Sequence, residues 1–222
     1  MRNRTGILIL IALFACILYS CKKINADLPP EVGDVASMNV VNATVDTINT
    51  FQNGTRFNYS SSFYPGGSLG YLTVLSGDHQ YQIKKAGSPN VLVNLPLQLD
   101  SGNRYSFFIA GAAADRVFLT KDVFLGNNDV EIRFVNTSPD MSFDIKIAGS
   151  FDYNNLAFKS VTDFVKMTAG KNKYEIYQTG NPVPLKTGEL TLAAGGVYTL
   201  FTKGTLTGTG ENAFDVRLIT NR

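Results

Sequence analysis

From Val91 to Asp100 the chain reads VLVNLPLQLD. Val91, Val93, Leu95, Leu97 and Leu99 alternate with Asn94, Pro96, Gln98 and Asp100, and Leu92 breaks the rhythm. A period of two sends one row of side chains to a buried face and the other to water, so the stretch predicts a β-strand. The segments SGDHQYQI and AGKNKYEI read as turns feeding strands that bury Tyr81 with Ile83 and Tyr174 with Ile176; His79 falls in the first turn. Short strands separated by Gly, Asn and Pro turns predict a β-sandwich. No amphipathic helix of useful length interrupts them.

The pattern occurs twice. At an offset of 93 residues Gly77, Tyr81, Ile83, Gly87, Pro89, Leu97, Leu99, Gly102, Tyr105, Phe108 and Gly111 meet identical residues from Gly170 to Gly204. Upstream, MNVVNA (Met38–Ala43) matches IRFVNT (Ile132–Thr137) at offset 94. Downstream, DRVFLT (Asp115–Thr120) matches DVRLIT (Asp215–Thr220) at offset 100, the changes being loop insertions. A period this long indicates tandem domains rather than a solenoid. The expected fold class is all-β, with two tandem Greek-key (immunoglobulin-like) β-sandwich domains, at 36–124 and 128–222. Each is expected to fold separately, with the division near Leu125–Asp129.

Both copies carry Leu-x-Leu-x-x-Gly-x-x-Tyr, as LQLDSGNRY and LTLAAGGVY. This resembles the tyrosine corner of Greek-key sandwiches, where the hydroxyl bonds back to backbone a few residues upstream and a glycine tightens the arch between sheets. Gly102, Tyr105, Gly195 and Tyr198 therefore read as a structural corner rather than as ligand contacts.

The N-terminus changes the picture. MRNRTGILILIALFACILYSC has a basic start at Arg2 and Arg4, then an uncharged, mostly apolar run from Gly6 to Ser20. At about 15 residues the run is short for a bilayer span and has a signal-peptide outline. It ends in Leu18-Tyr19-Ser20-Cys21, which resembles the lipobox of bacterial lipoproteins. That resemblance implies a signal peptide over 1–20, cleavage before Cys21, and an acylated Cys21 anchoring the chain to a membrane; the competing reading is a retained signal anchor with an incidental cysteine. Cys16 lies in the discarded run, so no disulfide is possible in the processed chain. Residues 21–35 read as a tether stiffened by Pro29-Pro30. Of 20 basic residues two are Arg2 and Arg4, which leaves 18 against 18 acidic ones. A balanced chain lacks the basic stripe that nucleic acid requires.

The second copy runs EIRFVNTSPDMSFDIKIAG, then LAFKSVTDFVKMTAGKNKYEIYQTG, then LTLAAGGVYTLFTKG. It resembles the Domain of Unknown Function 4397 family, whose members show a Val-x-His/Asn-Ala/Thr-Ser-Pro-Asp start and an Ala-Gly-x-x-Tyr-Thr segment. The first copy departs at VNATVDTINT (Val41–Thr50), which lacks Ser-Pro-Asp. The resemblance implies a cell-envelope β-sandwich, often repeated and often lipid-anchored, with no assigned reaction. With the lipobox it looks like a surface protein of the Bacteroidota. The expected location is the outer membrane; Lys22-Lys23 selects neither its periplasmic nor its surface side.

Residues with chemistry are few. Asp140, Asp144 and Asp152 lie close in sequence, but Asp140 sits where a turn-forming aspartate is expected. No catalytic residue, metal site or cofactor is assigned. GGSLG (Gly66–Gly70) lacks the Lys-Ser/Thr of a phosphate loop. Aromatics are the better candidates: Phe57, Tyr59, Phe63 and Tyr64 lie in a Ser/Gly-rich segment and suit sugar rings or protein interfaces. The alternative is that Phe57 and Phe63 fill the core. Asp46-Thr47-Ile48 resembles a short O-glycosylation signal of Bacteroidota surface proteins. The leading expectation is a non-enzymatic lipid-anchored envelope protein with a structural or binding role and an envelope-protein or glycan partner. The alternative is a carbohydrate-binding accessory lipoprotein of a glycan uptake or degradation system.

Overall fold

Asn53-Gly54 sets the first hairpin: φ is +49° and +81°, the left-handed pair that a tight two-residue β-turn requires. A computed structural model of the chain describes residues 35–58, 63–126, 129–139, 141–147 and 151–222. The signal segment, Cys21 and the tether up to Asp34 lie outside the described residues.

The first copy contains β1 (Val35–Asn42), β2 (Ile48–Gln52), β3 (Thr55–Arg56), β4 (Ser68–Leu75), β5 (Gly77–Lys85), β6 (Val91–Leu99), β7 (Arg104–Ile109) and β8 (Val117–Lys121). The second contains β9 (Val130–Val135), β10 (Phe143–Ile147), β11 (Phe151–Leu156), β12 (Val165–Met167), β13 (Gly170–Gln178), β14 (Pro184–Leu192), β15 (Val197–Lys203) and β16 (Asp215–Thr220). Their topologies are the same. Each has one sheet in the order β4-β1-β7-β8 or β12-β9-β15-β16, and one in the order β3-β2-β5-β6 or β11-β10-β13-β14. β1 and β7 pair in parallel, as do β9 and β15; the other pairings within the sheets are antiparallel. The protein is all-β, with two tandem β-sandwiches.

Met38, Val40, Phe107 and Ile109 from one sheet meet Tyr81, Ile83, Val93 and Leu99 from the other in the first core. Ile132, Phe134 and Leu200 meet Ile145, Ile176 and Leu192 in the second. The alternation expected from Val91 to Leu99 holds incompletely. Val93 and Leu99 are buried, Leu95 and Leu97 are half-buried, and Val91 is 45% exposed. β6 is an edge strand, and a bulge opposite Ile83/Lys84 shifts the register at its start. The turns expected at SGDH and AGKN are also shorter than read. Only Ser76 separates β4 from β5, with Gly77 at φ +91° and Gly170 at φ +104° taking the bend. His79 is therefore a strand residue, half-buried. Its Nε2–H donates to the Ser76 carbonyl at 2.8 Å, which leaves Nδ1 to accept from the Asn53 amide at 2.8 Å.

The larger difference from a simple sandwich lies in β1, β7, β9 and β15, which are buried on both faces. Their residues facing away from their own core form a third cluster: Val41 and Phe108 from the first copy meet Val135, Phe201 and Ile219 from the second. Two sheets, one from each copy, thus pack face to face, and the protein is four β-layers deep.

Candidate functional site

The corner tyrosines do the same thing in both copies. The Tyr105 hydroxyl accepts the Asp100 N–H at 3.0 Å and the Tyr198 hydroxyl accepts the Ala193 N–H at 2.9 Å, five residues upstream in each case. Gly102 (φ +73°) and Gly195 (φ +72°) occupy the left-handed turn just before. Gly196 supplies the clearance: a Cβ there would lie 2.5 Å from the Tyr198 oxygen. Both rings are buried, at 6% and 7% exposure.

Of the four aromatics read as ligand contacts, the three that are described do not converge. Phe63 is buried in the first core, and Phe57 packs edge-on against Tyr81 with ring centroids 6.2 Å apart. Tyr64 is 65% exposed, and Tyr59 lies outside the described residues. Asp140 also lies outside them. Asp144 accepts the Asn155 N–H and the Thr179 hydroxyl, each at 2.7 Å; these donors, the Asn155 N–H foremost, hold its carboxyl below the usual range. Asp152 is exposed on β11 opposite Lys146. Asp46 pairs with Lys85 at 2.6 Å, and Ile48 of the same triplet is fully buried.

The densest polar arrangement joins the copies, and sequence reasoning missed it. Arg133 on β9 and Asp122, just after β8, are both buried. Arg133 Nη1 donates to Asp122 Oδ1 at 2.6 Å, Nη2 to Ser106 Oγ at 2.8 Å, and Nε to Thr199 Oγ1 at 3.0 Å. The other Asp122 oxygen accepts from Ser106, at 2.7 Å, and from the Tyr71 hydroxyl. Thr199 Oγ1 in turn donates to Asn221 Oδ1 at 2.7 Å. Burial first, and then the Asp122 carboxylate, push the Tyr71 phenol well above its usual range and keep it a donor. The guanidinium also stacks over Phe164, 4.5 Å from the ring centre. Glu131, fully buried, caps the connection between the copies by accepting the Leu125 and Gly126 N–H groups at 2.9 and 3.2 Å. The signal was the two charged residues, Glu131 and Arg133, inside the otherwise apolar VEIRFV, which a half-wet strand does not need to pair.

Where the copies meet at one end, a mostly apolar cleft of about 200 Å³ opens between Ala43–Asp46 and Ala110–Ala112 of the first copy and Pro139, Gly204 and Thr205 of the second. Among the described residues no three His, Cys, Asp or Glu side chains gather closely enough to hold a metal ion.

The sequence model of the family described as "Domain of unknown function (DUF4397)" matches residues 36–142 and again 130–222. The chain belongs to this family. Its DUF4397 copies share an asparagine at the end of the first strand, and the structure explains it. Asn42 donates its amide to the Asp46 and Phe63 carbonyls and accepts the Thr44 N–H; Asn136 donates to the Met141 and Leu156 carbonyls and accepts the Ser138 N–H. Each buried amide thus holds together the loop that carries the chain across to the second sheet. No curated protein matches the chain. Ten solved chains match it, two of them as follows. One is the CBMbc domain (family CBM26) of Eubacterium rectale Amy13K, crystallised with maltoheptaose, at 10% identity, with 82% of this chain and 95% of that one covered and a TM-score of 0.27. The other is a candidate cell adhesion protein from Bacteroides eggerthii, at 7% identity, with 85% and 95% covered and a TM-score of 0.19. At such values neither likeness defines this DUF4397 protein's fold or role.

Proposed function

We propose that this DUF4397 protein is a non-enzymatic, lipid-anchored protein of the bacterial outer membrane, with a structural or binding role in the envelope. The observation that carries the reading is the four-layer packing. The faces of the two inner sheets are spent on holding the copies together through Val41, Phe108, Val135, Phe201 and the Arg133–Asp122 pair. The solvent faces of the two outer sheets, β3-β2-β5-β6 and β11-β10-β13-β14, remain exposed, the form expected of a module that presents surface to a partner. Leu18-Tyr19-Ser20-Cys21 supplies the anchor in this reading, with acyl chains on Cys21 contributing about 0.8 kcal/mol per buried CH₂. The test is acyl labelling with membrane fractionation. Wild type is labelled and sediments with the outer membrane, whereas Cys21→Ser accumulates as an unlabelled precursor; normal processing of that variant sinks the anchor.

A second reading, a carbohydrate-binding accessory lipoprotein, is favoured by one feature: the outer sheet of the first copy shows solvent a set of uncharged amides beside an aromatic ring. Binding of oligosaccharides to the full chain in detergent tests it.

A further inference from the structure

The two outer sheets can be compared position by position at offset 93, and their cores match while their solvent faces do not. On β13 and β14 the face carries Lys173, Glu175, Thr187 and Thr191; the same positions on β5 and β6 carry Gln80, Gln82, Asn94 and Gln98. Several charges of the second copy find partners on the face itself. Lys171 Nζ meets Glu189 at 2.8 Å, Glu175 accepts the Tyr177 hydroxyl at 2.5 Å, and the Lys146 amine lies 5.3 Å from the centre of the Tyr177 ring. The amides of the first copy point the same way but make no side-chain hydrogen bond among the described residues. One element persists in exchanged form. In the first copy the ring is Phe51 on β2 and the amine is Lys84 on β5, 4.7 Å apart; in the second the lysine is on the β2 equivalent and the ring on the β5 equivalent.

We propose that this face, centred on Phe51, Gln80 and Gln82, binds a neutral oligosaccharide. The inference rests on the carbohydrate-binding reading above and assigns it a site. A primary amide offers two donors and an acceptor at one point, which suits vicinal sugar hydroxyls. Gln80 and Gln82 are alternate residues of β5, about 7 Å apart, and Gln82 faces Asn94 across about 4.8 Å, while Pro96 lies opposite Gln80 and Asp78 opposite Gln98, so the amides form a short flat row beside Phe51. A sugar ring stacks its C–H face on an aromatic such as Phe51. Lys84 is half-buried, and its amine, held over that ring by a cation–π contact, moves to a sugar hydroxyl when the ring is covered. The amides themselves are uncharged; Lys84 and Arg56 flank Phe51 and Asp78 faces Gln98, so charges of both signs border the row and it is the amides that select sugar hydroxyls.

The test is calorimetric titration of the full chain in detergent with neutral gluco-, xylo- and manno-oligosaccharides, with oligogalacturonate as the acidic control. At least one neutral oligosaccharide binds. Phe51→Ala, and Gln80→Ala with Gln82→Ala, each weaken it tenfold or more at unchanged melting temperature, and Tyr177→Ala on the second copy leaves it intact. Binding that survives the first-copy variants and is lost in Tyr177→Ala overturns the site but leaves the carbohydrate-binding reading standing. Binding of oligogalacturonate alone overturns the site's neutral preference. If no oligosaccharide binds, site and reading fall together; if Phe51→Ala instead releases a bound envelope protein, the face serves a protein partner.

Discussion

Arg133→Met is the sharpest probe of how the copies are joined. Methionine keeps much of the aliphatic stem and removes the guanidinium. Asp122 is then left buried: its side chain is 0% exposed and that of Arg133 2%, so solvent screens little of the loss. Breaking such a pair by deleting one partner costs about 3–5 kcal/mol. Ser106 and Tyr71 still donate to Asp122, which places the expected cost near the lower end, although Thr199 and the Phe164 ring also lose their contact. For a folded unit of this size, melting temperature falls by roughly 2–4 °C per kcal/mol, so the variant melts about 6–20 °C below wild type. The assay is a thermal melt followed by circular dichroism, with Asp122→Leu and the double variant completing a cycle. Removing both charges leaves no buried unpaired ion, so the double variant recovers much of the loss. A single variant within about 1 kcal/mol of wild type, or a double variant no more stable than the sum of the singles, refutes the reasoning.

Two further outcomes follow from the same packing. A fragment from Asn128 to Arg222 gives a cooperative β-type melt, but at a lower temperature than the full chain, because Val135, Phe201 and Ile219 lose their cover and Arg133 loses Asp122; a fragment unfolded under conditions where the full chain is folded makes the two copies one folding unit. Tyr198→Phe leaves the Ala193 N–H, a donor, without its partner, and costs about 1–3 kcal/mol. Tyr105→Phe acts likewise on the Asp100 N–H, and because Asp100 and Ala193 are both exposed residues that water reaches, both costs fall near the low end of that range. Both are read by melting; wild-type melts for both, with loss of a ligand in either, assign the tyrosines to binding instead of the corner.

The repeat, the sandwich and the family were legible in the sequence because the constraints that reveal them are local. Alternation along β5 and β13 fixes which face is buried, Gly102 and Gly195 fix turns that few other residues allow, and Leu-x-Leu-x-x-Gly-x-x-Tyr keeps a ring next to the backbone it must reach. The double burial of β1, β7, β9 and β15 was not legible. Asn39, Ser106, Arg133 and Thr199 alternate with apolar residues just as surface residues do. A period of two reports only that the faces differ, never what covers the second one. Only the tertiary structure showed that the second face is covered by the other copy, and that Arg133 finds Asp122 and Ser106 there. Such partners come together through the docking of two sheets, which no pattern within a single strand specifies. The fate of the Ser/Gly-rich aromatics was decided in the same way. Phe63 is held in the core by its bridge to Ile48, fifteen residues away in sequence, while the next residue, Tyr64, faces water.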